Sequence, residues 1–272
     1  MDKGGTGMLN DWRTAIDNQV ITEPNPDWSE KELEEILRVA IKNCAEQCMD
    51  SNESGGVFTS LSGGLDSSFC LAIIRQLFPR AVISTYTTGG NEKHPDIQSA
   101  RLIAKLFHTF HVEIIPEENE EKLWNNDFKD TFPDIQNPAG GDVAVFCLYR
   151  VMAIDGAKAA IAHDGIDELL GGYGPHRGND GPNRENAFRD FWKRLVPEHL
   201  DPLQRDADYF GIRLLLPYLQ LPVVKYIVGI PVRQRTSRAE SKIPLRNIAR
   251  KYLPSEIIER KKMGFCSGLD KF

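Results

Sequence analysis

A chain of 272 residues with 41% hydrophobic and 26% charged residues has the composition of an ordinary globular protein, one large domain or a domain with a smaller lobe. Its net charge of −6 argues against a general nucleic-acid binder, which carries a basic balance. No run approaches the roughly 18 apolar residues of a membrane span, and no signal-peptide core opens the chain, so the cytoplasm is the expected compartment.

Residues 1–28 are rich in Gly, Asn, Asp and Pro and read as an extension. Ser29 followed by Glu32 forms a capping box, and an amphipathic helix is predicted from there to about Met49. Cys44 and Cys48 share its apolar stripe with Leu33, Leu37 and Ala40, which makes them core residues rather than metal ligands. Val57–Leu61 is a β-prone run, followed by a helix over Asp66–Leu77 that Pro79 stops. Ala81–Thr87 reads as strand, Pro95–Phe107 as helix and Val112–Ile115 as strand. Glu117–Gln136 reads as loop with a short helix, Asp142–Ala153 as helix and Ala157–Ala162 as a buried strand. This alternation predicts an α/β fold: a doubly wound parallel sheet with right-handed crossovers. From Asn186 the strand signals fade, so the expected division is extension 1–28, α/β core 29–185 and C-terminal helical lobe 186–272. Arg233, Arg235, Arg238, Lys242, Arg246, Arg250, Lys251, Arg260, Lys261 and Lys262 crowd that lobe, as a solvated face or with a few members turned toward phosphates.

The run Ser62-Gly63-Gly64-Leu65-Asp66-Ser67-Ser68 lies between a predicted strand and a predicted helix. That position turns backbone N–H groups and the positive end of a helix toward an anion. Gly63 and Gly64 let the backbone approach closely or take positive φ, and the serines add hydroxyl donors. Asp66 would repel a phosphate unless a cation lies between them, and magnesium resolves the conflict. The Gly-Lys-Ser/Thr ending of a P-loop is missing, so the loop is of another kind.

A second constellation, His163-Asp164-Gly165-Ile166-Asp167-Glu168-Leu169-Leu170-Gly171-Gly172-Tyr173, follows another buried strand and should open at the same sheet edge. Three acids within five residues are costly to gather without a metal or a cationic partner.

The first run resembles the phosphate loop of the PP-loop ATP pyrophosphatases. The second resembles the G-D-G-x-D-E-L-F-G-G-Y motif of the synthetase domain shared by asparagine, β-lactam and carbapenam synthetases. Asp96, Ala100, Ala104, the run Leu216-Pro217-Tyr218-Leu219 and Arg260-Lys261-Lys262-Met263-Gly264-Phe265 extend the resemblance over residues 30–268. It implies ATP and magnesium as cofactors, and an enzyme that adenylates a carboxylate and passes the acyl group to ammonia or an amine. By the same resemblance Ser62, Gly63, Gly64, Asp66, Ser67 and Ser68 hold pyrophosphate, and Leu61 and Thr87 flank the adenosine. Gly165 belongs to the nucleotide-binding set, and Asp66 and Asp167 bind the metal. Asp164 stands near the reacting centre, Lys262 neutralises the α-phosphate, and Tyr173 matches a tyrosine of base chemistry in the β-lactam branch.

The chain also departs from the family. Residue 2 is Asp2, not the cysteine of a glutaminase domain, so glutamine hydrolysis is not expected within it. Ile166 replaces a small residue and is expected to alter the pocket wall. The family's Glu-x-Arg-x-Pro stretch reads Arg213-Leu214-Leu215-Leu216-Pro217, and the lobe ends soon after Phe265. The expected partners are a small-molecule carboxylate and an amine or ammonia donor, free or fed by a separate ammonia-supplying protein. Nucleic acid and membrane are not expected, and self-association into a homo-oligomer is left open. Two other readings stay open: another PP-loop enzyme, such as a tRNA thiolase or a NAD or GMP synthetase, and a nucleotide-binding scaffold without turnover.

Overall fold

The computed structural model describes residues 24–116, 120–135, 140–178 and 182–260. Helix α1 (Glu30–Ser51) starts where the sequence places it, Ser29 Oγ accepting from the Glu32 amide at 3.2 Å. Only half of the expected capping box forms, because the Glu32 carboxylate accepts from the Tyr226 hydroxyl instead. Then come β1 (Val57–Ser60), α2 (Leu65–Leu77), β2 (Ile83–Thr88), α3 (Pro95–Leu106) and β3 (Phe110–Ile114). The acidic stretch holds a helix of three turns, α4 (Glu120–Thr131), before α5 (Gly140–Ile154), β4 (Ala159–Ile161) and the short α6 (Ile166–Leu170). The rest comprises α7 (Pro182–Leu195), α8 (Asp201–Tyr209), β5 (Arg213–Leu215), α9 (Leu221–Gly229), α10 (Val232–Arg235), α11 (Ile243–Ala249) and α12 (Ser255–Ile258).

The strands form one parallel sheet in the order β3-β2-β1-β4-β5. From β1 the chain steps outward through β2 to β3, then returns to β4 on the other side of β1, so the right-handed crossover rule puts helices on both faces. The sheet is doubly wound, as expected. Its topological switch point lies between β1 and β4, where such sheets open a crevice beyond their strand C-termini.

Strand β5 corrects the sequence reading. Arg213–Leu215 pairs with β4 in register, Ala159 opposite Arg213 and Ile161 opposite Leu215, inside the stretch where strand signals fade and helical patterns dominate. Three residues are too few to show a two-residue alternation, and its strand character comes from the free edge of β4. The core runs through the sheet into the C-terminal helices, with α1 packed against β1, β4, α2, α9 and α11. Cys44, Cys48, Cys70 and Cys147 are buried free thiols, as the apolar stripe of α1 implied for the first two. Ile166, expected in a pocket wall, is wholly buried in this core.

A candidate active site at the switch point of the sheet

Register places the two sequence-predicted loops side by side. Thr59 of β1 pairs with Ile161 of β4, so the turn after Leu61 and the turn after Ala162 leave the sheet at the same level. Leu61 donates its amide to the Tyr86 carbonyl at 2.7 Å, which sets it level with Thr87 on β2. Both side chains are buried beneath the crevice.

The phosphate loop is tied from several directions. Gly63 takes φ +64, and a Cβ there would meet the backbone of Ser99 and Ala100 at 2.4 Å, so the residue needs to be glycine on both counts. Gly64, by contrast, is an extended N-cap of α2 with φ −80. The Ser67 hydroxyl accepts from the Ser62 amide and lies 3.2 Å from the Ser62 hydroxyl. Ser68 is fully buried on the inner side of α2. Tyr218 donates its hydroxyl to the Asp66 carbonyl at 2.7 Å, giving the Leu216-Pro217-Tyr218-Leu219 run a definite task. Arg260 donates to the Ser62 carbonyl at 3.3 Å and forms an ion pair with Asp96 of α3. Lys262 lies outside the described residues, but the run that contains it therefore begins against the phosphate loop.

The acidic loop follows β4. Gly165 takes φ +94 at the start of α6, against Leu219. Asp164 stands half-buried before it. Tyr173 stacks on Phe191 with ring centroids 4.6 Å apart and donates its hydroxyl to Glu168 at 2.7 Å. Burial, then the negative charges of Glu168 and Asp167, raise the phenol far above its usual value. His163, where the family motif has glycine, sits with Nε2 3.0 Å from both the Ser60 carbonyl and the Thr59 hydroxyl. Burial pulls its imidazole down to about 4 against the opposing Ser60 carbonyl, so the ring is neutral at physiological pH.

The two loops meet on a residue that the sequence reading left among the basic crowd. Lys242 Nζ lies 2.6 Å from Asp66 Oδ2 and 2.7 Å from Asp167 Oδ1, with only 5% of its side chain exposed. Burial opposes its charge, but Asp167 and Asp66 outweigh that and hold the ammonium above the ordinary lysine value. Its backbone is left-handed at φ 53, and its amide donates to the Leu170 carbonyl at the end of α6. Gly172 completes the fit, since a Cβ there would stand 1.5 Å from Asp167 Oδ1 and 2.8 Å from Lys242 Cε. Composition hid Lys242 among its basic neighbours, which have other tasks. Arg235 is buried and donates to the carbonyls of Ile230, Leu169 and Val228, while Arg246 clamps those of Ser241 and Ile258.

Among the described residues no three His, Cys, Asp or Glu side chains gather as a metal cage. Asp66 and Asp167 nevertheless fit magnesium, which takes one or two carboxylates and fills its octahedron with phosphate and water oxygens. Both already grip one cationic group, so the geometry suits a positive centre between them.

The family model for asparagine synthase matches residues 36–206 and 180–271 of this chain. The chain belongs to the asparagine synthase family. It is 26% identical over 232 residues to a putative glutamine-hydrolyzing asparagine synthetase of Methanocaldococcus jannaschii, covering 80% of this chain and 41% of that protein. To asparagine synthetase 2 of Oryza sativa subsp. japonica it is 23% identical over 274 residues, covering 90% and 45%. The chain thus spans less than half the length of the curated relatives it matches. Among solved structures, NMN synthetase from Francisella tularensis aligns over 75% of this chain and 94% of that one, with TM-score 0.39 and 13% identity. NAD+ synthetase from Burkholderia pseudomallei aligns over 90% and 94%, with TM-score 0.39 and 12% identity.

Two residues that depart from the family pattern are held in the fold by β5. Arg213 opens β5 and donates to Gln47 of α1 at 2.8 Å, and Leu215 is buried in the core. Among the described residues no helix is long and apolar enough to cross a membrane.

Proposed function

We propose that this chain is an ATP- and magnesium-dependent ligase that adenylates a small-molecule carboxylate and transfers the acyl group to ammonia or an amine. The observation that carries this reading is the convergence of Asp66 and Asp167, from separate loops at the switch point, on one buried cationic centre. A cradle of glycines, hydroxyls and a helix N-terminus binds phosphate, and an aspartate inside it is useful only where a cation must be held beside that phosphate.

Magnesium on Asp66 and Asp167 would neutralise the phosphate oxygens and favour pyrophosphate as a leaving group. The substrate carboxylate attacks the α-phosphorus, the bond to the bridging oxygen breaks, and pyrophosphate stays on Ser62–Ser68. The amine lone pair then attacks the acyl carbon, AMP leaves, and a proton passes to a nearby base. Asp164 and Glu168 would take that proton, and Tyr173, whose hydroxyl donates to Glu168, would orient it. Leu61, Thr87 and Gly165 would line the nucleotide site. Lys262 and Lys242 would be the cations that meet charge developing on the α-phosphate. The amine arrives free or from a separate ammonia-supplying partner.

A tRNA-thiolating PP-loop enzyme would call for a reactive thiol at the mouth; burial raises the thiols of Cys48, Cys70 and Cys147, and Cys266 lies outside the described residues. The test is pyrophosphate release from ATP across a panel of carboxylates, followed by mass spectrometry for AMP-linked acids formed from a metabolite extract. Asp66→Asn and Asp167→Asn should each lower the rate at least a hundredfold. Full ATP-dependent turnover in either variant refutes the assignment.

A further inference from the structure

Lys242 stands where the divalent cation of the proposed reaction would have to stand. One ammonium touches an oxygen of Asp66 at 2.6 Å and of Asp167 at 2.7 Å, while magnesium would hold such oxygens at about 2.0–2.1 Å. Two cations cannot share those oxygens in a buried pocket, because their repulsion is poorly screened there. Yet the carboxylates cannot be left alone either, since two adjacent, half-buried anions repel and would push apart the loops that carry them.

The backbone around Lys242 is built to keep it there. A lysine at φ 53 is in a region that non-glycine residues seldom adopt, and such strain persists only where the surroundings impose it. Here the imposing contacts are the amide bond to the Leu170 carbonyl and the start of α11, to which Lys242 is the N-cap. Gly172 clears the space that its Cε and Asp167 occupy. The backbone is fixed, whereas the four-carbon stem can turn its ammonium toward a new anion.

We propose that Lys242 is a resident counter-ion that holds Asp66 and Asp167 together in the empty enzyme and is displaced onto the nucleotide phosphates when the divalent cation enters. This rests on the reading of Asp66 and Asp167 as the metal carboxylates. It makes metal and nucleotide reinforce each other: the metal alone must pull an ammonium away from both carboxylates, whereas nucleotide phosphates offer that ammonium a new partner. Divalent cation without nucleotide therefore binds weakly, which protects the crevice from filling with metal in an order that blocks the triphosphate.

Manganese is the probe, followed by electron paramagnetic resonance of the free ion and by thermal melting. Without nucleotide, Lys242→Met and Lys242→Gln should each bind Mn2+ at least tenfold more tightly than the wild type, and Mn2+ should raise their melting temperature but not that of the wild type. Unchanged or weaker Mn2+ binding in the folded variants overturns the proposal. A crystal of the wild type with Mn2+ and a non-hydrolysable ATP analogue tests it without any variant. The expected result is anomalous density between Asp66 and Asp167 with Lys242 Nζ moved onto phosphate oxygens. Nζ still bonded to both carboxylates beside that density overturns the exchange while leaving the metal site intact. Asp66→Asn separates the two failures. If Mn2+ binding with the analogue survives that change undiminished, the metal-site reading fails and the exchange fails with it.

Discussion

Asp167 reaches Lys242 only because residue 172 has no side chain. Gly172→Ala is therefore expected to push Asp167 off the ammonium, lower pyrophosphate release at least tenfold and cost about 1–3 kcal/mol, read from denaturant unfolding. A second buried carboxylate carries a pH effect remote from the chemistry. Asp206 is fully buried on α8, and burial raises it to about 7 from 3.8, with the Arg205 guanidinium 2.6 Å away opposing and Asp142 assisting the rise. A carboxyl with a raised folded value binds its proton more tightly in the native state, so its stabilisation is complete below about 4 and is lost as pH rises through about 7. Asp206→Asn should accordingly melt higher than the wild type at pH 8, by an amount on the order of a few kcal/mol, and lose much of that advantage by pH 5. An equal difference at both pH values would remove Asp206 as the cause. Asp66 and Asp167 were singled out in the sequence because an acid beside a glycine-rich turn has few explanations, and the structure brings the two together on one ammonium. Lys242 was not, because its partners lie 176 residues away at Asp66 and on a separate loop at Asp167.

The phosphate loop is an element whose shape depends on parts far along the chain. Tyr218 and Arg260 donate to the carbonyls of Asp66 and Ser62, one from the turn after β5 and one from the segment after α12. Tyr218→Phe removes the hydroxyl that ties the turn after β5 to the Asp66 carbonyl and should cost about 1 kcal/mol, with a higher KM for ATP and a smaller change in kcat. A rise confined to kcat would show that the loop keeps its form without Tyr218. Local pattern was enough for α1, α2, α3 and α5, whose stripes and stops are long and strong. It failed at β5, where three residues acquire strand structure from the edge of β4. It also undersized α4, whose twelve residues carry too few apolar positions to mark a helix until Phe128 packs against Phe132 and Phe146.

The whole molecule is wound about the gap between β1 and β4, with α1 bridging the sheet to α9 and α11. Because β5 and these helices complete one continuous core, a chain cut after residue 185, where the sequence suggested that the α/β core ends, would expose the edge of β4 and the apolar face of α1. Such a fragment is expected to give no cooperative thermal transition, whereas the intact chain melts in one; calorimetry distinguishes the two. The alternation of strand and helix, the glycine-rich loop and the acidic run determined the fold class and the side of the sheet on which chemistry would gather. These are local signals, written in spacings of a few residues. Which residues meet there was decided only by folding, since a contact between Asp66, Asp167 and Lys242 depends on three backbones brought together by packing, and a lysine among many carries no mark of its partners until they arrive.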